Sequence, residues 1–162
     1  MAETHVLQPD GESAGEPWRF TTEQKRFNLW LNAIDDRGKW LYSAAALRRS
    51  KGWGKTPLLA AICIIEFIGP ARFSRWDECG RSIGKRVPLP LVQIAATSID
   101  QTQNTRDMIR GMLAESPAER EYQIEIGKGL IQFANGKPGR IEPVTSPSRG
   151  LETRQAHLRG LR

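Results

Sequence analysis

The apolar positions change their period several times along the chain, and each change marks an element. Residues 1–17 are rich in Glu, Gly, Pro and Ser and show no apolar period. That composition predicts a disordered leader. Thr21 followed three residues later by Gln24 reads as a capping box opening a helix. Phe27, Trp30, Leu31 and Ile34 then recur on one face, to about residue 34, with Trp30 expected in the core. Asp35-Asp36-Arg37-Gly38 is a turn, and residues 39–47, with Trp40, Leu41 and Tyr42, read as a first strand. Residues 58–68 are almost wholly apolar and predict a buried helix, stopped by Gly69-Pro70.

Arg72, Arg75, Arg81, Lys85 and Arg86, with Trp76, fall in residues 71–90, which read as an irregular basic loop long enough to be functional. Residues 90–97 form an apolar, β-rich run, and a helix is expected from Ser98 or Asp100 to about Leu113. Residues 122–126, 130–135 and 140–145 read as three short strands. Gly127-Lys128-Gly129 and Asn135-Gly136-Lys137 supply the turns between them. Helix, strand, loop, helix, strand, helix and then strands is the order of an α/β domain. A mostly parallel core sheet with an antiparallel strand insertion is expected, the ligand lying at the carboxyl ends of the core strands.

Composition narrows this only modestly. The chain has 162 residues, enough for one domain with a real core, and its 26% charged and 39% hydrophobic residues are ordinary for a globular protein. No apolar run approaches the ~18 residues of a membrane span, and no signal segment opens the chain. Cys63 and Cys79 fit no metal spacing, so a reduced intracellular protein is expected, with Cys63 a small buried hydrophobe. The net charge of +6 is uneven: residues 1–18 carry acids and no Lys or Arg, and the basic excess lies after residue 47. That imbalance suits a nucleic-acid or phosphate partner as readily as plain surface charge. His5, His157, Ser98 and Ser146 form no pattern suggesting a triad or a metal site.

The chemistry concentrates at Arg49-Ser50-Lys51-Gly52-Trp53-Gly54-Lys55-Thr56. A lysine, a hydroxyl and glycine-rich backbone just before an apolar helix make a cradle for phosphate. The amides of Gly52, Trp53, Gly54, Lys55 and Thr56 would form the nest. Lys55 would meet the β- and γ-phosphates of ATP, and Thr56 would be a ligand of Mg²⁺. Pro57 suits a first helical turn, where no amide donor is needed. The general pattern begins with glycine, whereas Arg49 stands in that place here.

Four stretches together resemble the N-terminal ATPase domain of the large terminase subunit of tailed bacteriophages, the motor that packages DNA into the procapsid. They are Phe20-Thr21-Thr22-Glu23-Gln24, Lys51-Gly52-Trp53-Gly54-Lys55-Thr56-Pro57, the segment from Gln93 to Thr105, and the segment from Glu142 to Glu152 with Ser146, Arg149, Gly150 and Leu151. The resemblance runs from about Trp18 to the C-terminus. It implies a P-loop NTPase fold in residues 18–162, with a deviant Walker A loop that lacks its first glycine in the family too. It also implies that Gln24 reads the adenine base and that Lys51, or else Arg49, senses the γ-phosphate. Lysine offers a point charge where several relatives have the arginine fork. The implied partners are double-stranded DNA, the portal protein and the small terminase subunit, in a homo-oligomeric ring or with a complementing C-terminal chain. The implied setting is the cytoplasm of the infected bacterial host, with no membrane.

The family's Walker B strand, coupling motif and nuclease domain find no counterpart before Arg162. The chain is therefore expected to be the front part of a terminase, binding ATP weakly alone and hydrolysing it poorly, since phosphoryl transfer needs metal, positioned water and charge stabilisation together. Glu142 and Glu152 read as solvated or capping residues. Two other functions stay open on sequence grounds: a non-enzymatic module whose basic segments hold nucleic acid or a partner, and a small P-loop phosphotransferase with residues 71–90 as lid.

Overall fold

The computed structural model describes residues 1–96 and 99–145. The elements in chain order are α1 (Ala2–His5), α2 (Thr22–Leu31), α3 (Lys55–Ile68), β1 (Arg72–Trp76), β2 (Ser82–Lys85), β3 (Leu91–Ala96), α4 (Ile99–Leu113), α5 (Pro117–Tyr122), β4 (Ile124–Ile126), β5 (Ile131–Phe133) and β6 (Arg140–Thr145). β1 and β2 form an antiparallel hairpin of their own, and the other four strands form one sheet in the order β3-β6-β5-β4. β3 runs parallel to β6, with Leu91 opposite Arg140 and Ala96 opposite Thr145, while the β6–β5 and β5–β4 pairs are antiparallel.

The sheet is therefore mixed, not mostly parallel as the sequence order suggested. Short turns at 127–130 and 134–139 join β4 to β5 and β5 to β6, and a short connection can only fold a strand back antiparallel. The expected strand at 39–47 is also not formed. Its one pairing among the described residues is an isolated bridge between Ile34 and Trp40. Residues 41–46 are exposed, no described strand lies beside them, and Ala44-Ala45-Ala46 adds little β preference.

The core lies between α3, α4 and the inner face of the sheet. Ile64, Phe67 and Ile68 of α3 meet Ile109, Met112 and Leu113 of α4, Ile131 of β5 and Ile141 of β6. Phe67 and Phe133 stack with centroids 4.5 Å apart. The mean character of α3 explains its position: a helix apolar on nearly all sides must be covered on most of them.

The N-terminal residues differ from the expected leader. Ala2 and Val6 are buried in the core, the Leu7 amide donates to the Met112 carbonyl, and Leu7 bridges to Pro17. Glu3 accepts from the Phe20 amide and pairs with Lys25, and these contacts, the amide first, hold its carboxyl below the ordinary range. A few apolar side chains with hydrogen-bonded backbone suffice to seat the segment, although its average composition is polar. Trp30 also departs from expectation: it is 59% exposed and tilts against Tyr42 instead of entering the core. Residues 71–90 are not irregular, since most of them build the β1–β2 hairpin. α5 is a helix the hydrophobic period did not reveal, capped by the Ser116 side chain accepting from the Glu119 amide, with Pro117 in the first turn. Thr97, Ser98 and residues 146–162 lie outside the described residues.

Val6→Asp should cost roughly 3 kcal/mol in urea unfolding, because it buries a carboxylate without a partner. A solvated leader would leave the midpoint unmoved. Burial, with the Glu66 charge adding to it, pushes the Cys63 thiol up to about 12, while Cys79 is exposed. In the folded state a thiol reagent should label Cys79 alone, and both cysteines after denaturation. Unfolded Cys63 ionises near its ordinary 9.0. This group's contribution to stability is therefore whole below that pH and declines as pH rises toward about 12.

Candidate phosphate-binding site

The capping box at the start of α2 forms as its sequence implies. Thr21 Oγ1 accepts from the Gln24 amide at 3.2 Å, and Gln24 Oε1 accepts from the Thr21 amide at 3.0 Å. Gln24 is only 4% exposed. Its amide group lies against the backbone at Gly54, where an added Cβ would stand 3.1 Å from Gln24 Nε2. Gly54 has φ +88° and Gly52 φ +84°, both in the left-handed region that favours glycine. The loop therefore turns twice on residues without a Cβ and enters α3 at Lys55, earlier than the apolar run alone indicated.

Gly54 is the N-cap of α3 and offers no side chain, so no side-chain cap satisfies the first amides of this helix. Such a helix start is an electropositive donor cluster. Lys55 adds a full charge beside it. Its Nζ donates to the Arg49 carbonyl at 2.9 Å and the Ser50 carbonyl at 2.7 Å, so the loop is wrapped around its own lysine. Thr56 comes next in the first turn and is half-buried; Lys51 is exposed at the tip with Gly52.

Glu23 is a site residue that the sequence patterns did not single out. Its Oε2 accepts from Trp53 Nε1 at 2.7 Å and lies 3.8 Å from Arg49 Nη2. Arg49 in turn stands over the Trp53 ring, 5.5 Å from its centroid. An acid in the first turn of α2 thereby ties the tip of the loop to the capping box. Of the predicted residues, Gln24, Arg49, Trp53, Gly54 and Lys55 are thus brought together, with Gly52 and Thr56 as neighbours in the chain; Lys51 has no hydrogen bond or ion pair among the described residues.

A cavity of about 320 Å³ adjoins the loop, lined by Phe27, Leu31, Ala45, Leu47, Leu58 and Ile62 along with Lys55. A larger one, about 570 Å³, contains none of the loop residues and lies between α2 and the β1–β2 hairpin. The loop chemistry, not cavity size, identifies the site. His5 has partners in space: Thr4 Oγ1 at 2.6 Å and Glu121 Oε2 at 3.1 Å. Because Thr4 Oγ1 donates to the Met1 carbonyl, this row pins α1 to α5 and presents no free nucleophile.

No family model matches the sequence. The chain is similar to the Gene 13 protein of Mycobacterium phage D29, at 41% identity over 132 residues. It is also similar to the Gene 13 protein of Mycobacterium phage L5, at 39% identity over the same length. Each match takes in 82% of this chain and 22% of the relative. The chain thus spans about a fifth of the length of the curated relatives it matches. Among solved structures it is similar to the crystal structure of the HK97 bacteriophage large terminase, with a TM-score of 0.59 and 18% identity, over 91% of this chain and 26% of that one. The fold is similar to part of a phage large terminase. Its sequence relatives are bacteriophage proteins as well.

Gly54→Ala should cost about 1–2 kcal/mol from backbone strain alone, and more once Gln24 is displaced. Gly52→Ala, where a Cβ meets nothing within 4 Å, should cost only the strain. Equal losses for the two variants in chemical denaturation would remove Gln24 from contact with the loop.

Proposed function

We propose that residues 49–56 bind the phosphates of ATP with Mg²⁺, in a large-terminase-type ATPase that drives double-stranded DNA into a phage procapsid. One observation carries this reading. The Lys55 ammonium sits at the centre of a glycine-turned loop, at the start of a helix whose first amides no side chain caps. That combination of donors suits a polyphosphate far better than a neutral ligand. The fold likeness to a phage large terminase supports the packaging role.

In this reading Lys55 leaves the Arg49 and Ser50 carbonyls for the β- and γ-phosphate oxygens, and the amides from Gly52 to Thr56 hold the rest of the polyphosphate. Thr56 would supply a hydroxyl to Mg²⁺, and the metal would offset the charge of the phosphates. Gln24 brings Nε2 to the adenine, because Oε1 is engaged by the Thr21 amide. Lys51 or else Arg49 is the cation for the γ-phosphate, and Arg49 must first leave Glu23. The portal protein, the small terminase subunit and further copies of the motor complete the assembly, in the cytoplasm of the infected bacterium. Among the described residues no helix is long and apolar enough to cross a membrane.

Lys55→Ala should weaken Mg–ATP binding about 10–100-fold in calorimetry, the worth of one charge-assisted contact. Thr56→Ala should lower affinity in Mg²⁺ but leave binding in EDTA unchanged. Wild-type affinity in Lys55→Ala would end the nucleotide reading.

A further inference from the structure

The β1–β2 hairpin carries a charge pattern that the nucleotide loop does not use. Cross-strand partners share a face, and successive residues alternate between faces. The pairs Phe73–Gly84 and Trp76–Ser82 therefore lie on one side, and Arg72–Lys85 and Arg75–Ile83 on the other, with a bulge between Phe73 and Arg75. The first side is seated on the body. The Phe73 ring fills the space a side chain at Gly38 would need, it contacts Trp76 at 5.1 Å between centroids, and Trp76 Nε1 donates to the Asp36 carbonyl at 2.9 Å.

The second side meets the body at Arg72 and is open to solvent at Arg75 and Lys85. Arg72 is engaged by Glu66 and stands over Trp40. Arg75 and Lys85 are exposed and make no ion pair among the described residues, and Arg81 at the hairpin end is the same. Asp77 Oδ1 accepts from the Cys79 and Arg81 amides, which ties its carboxylate to the turn, and it makes no ion pair with these cations among the described residues. Glu78 is the other acid of the hairpin.

We propose that this face of the hairpin, through Arg75, Arg81 and Lys85, grips the phosphate backbone of duplex DNA. A two-stranded ribbon is narrow enough for the major groove of B-DNA, and cations spaced along one edge suit a regular line of phosphates. Single strands are bound on aromatic platforms beside the cations, and here the Trp76 indole, 40% exposed, lies on the opposite side of the hairpin and donates to the Asp36 carbonyl. A protein partner would need an apolar anchor at the centre of the patch, and Ile83, 37% exposed, is the only apolar side chain on that face. The proposal locates the DNA partner suggested above, yet it stands on the hairpin charges alone and not on the nucleotide reading.

The test is fluorescence anisotropy of a labelled duplex of about 30 base pairs, without nucleotide, across a salt series. Wild-type protein should bind, with log affinity falling linearly as log salt rises. The triple variant R75A/R81A/K85A should lose about tenfold in affinity at low salt and about 2–3 from the salt slope, one contact per cation. Replacing Arg75 and Arg81 by lysine should largely keep the slope, which a mere folding defect in the triple variant would not explain. Lys55→Ala should bind the duplex like the wild type, so failure of the nucleotide reading and failure of this one are separable. An unchanged slope in the triple variant, preference for a single strand of the same length, or displacement by an acidic polypeptide at matched charge would overturn the assignment.

Discussion

The packing of α3 between α4 and the sheet sets the geometry of the loop and of the elements around it. Leu58, Ile64, Phe67 and Ile68 are all buried, so the helix has little freedom to shift or rotate. Its first residue is Lys55. Fixing the helix by its apolar body therefore fixes the position of the lysine and of the amides around it. The core and the loop are two ends of one rigid element, and a void opened under Phe67 would be felt at the loop.

Two short polar devices hold the other side of the loop. The Thr21–Gln24 capping box presents Gln24 to Gly54, and Glu23, one residue earlier, reaches Trp53 and Arg49. All are on the first turn of α2. Exposed pairs such as Glu23–Arg49 contribute little each, so the loop tip is held more loosely than its base. Rigidity at Lys55 and slack at Arg49 is an arrangement suited to admitting a ligand from the tip.

Much of this was legible in the sequence, and the failures have definite causes. The cap, the loop glycines, α3, α4 and the three C-terminal strands arise from local chemistry and period, so they could be read directly. The strand expected at 39–47 could not be settled that way, because a strand exists only if another lies beside it. The seated N-terminus escaped notice because Ala2 and Val6 are too few to make a period; only Met112 and the helix above them give them meaning. α5 was signalled by Ser116, Pro117 and Glu119, a start signal masked by the brevity of the helix it opens. Glu23 was unreadable as a site residue, since its two partners lie 26 and 30 positions away.

The grip of Lys55 on two carbonyl oxygens has a consequence for selectivity. With the lysine already satisfied, anything entering the loop takes part in an exchange and not a simple addition. The newcomer must displace two neutral dipoles from the same ammonium. A polyanion does so easily, because it also engages the uncapped amides that the carbonyls leave idle. On the nucleotide reading proposed above, the loop would thus act as a threshold on ligand charge, and the carbonyls would recapture the lysine as the ligand leaves.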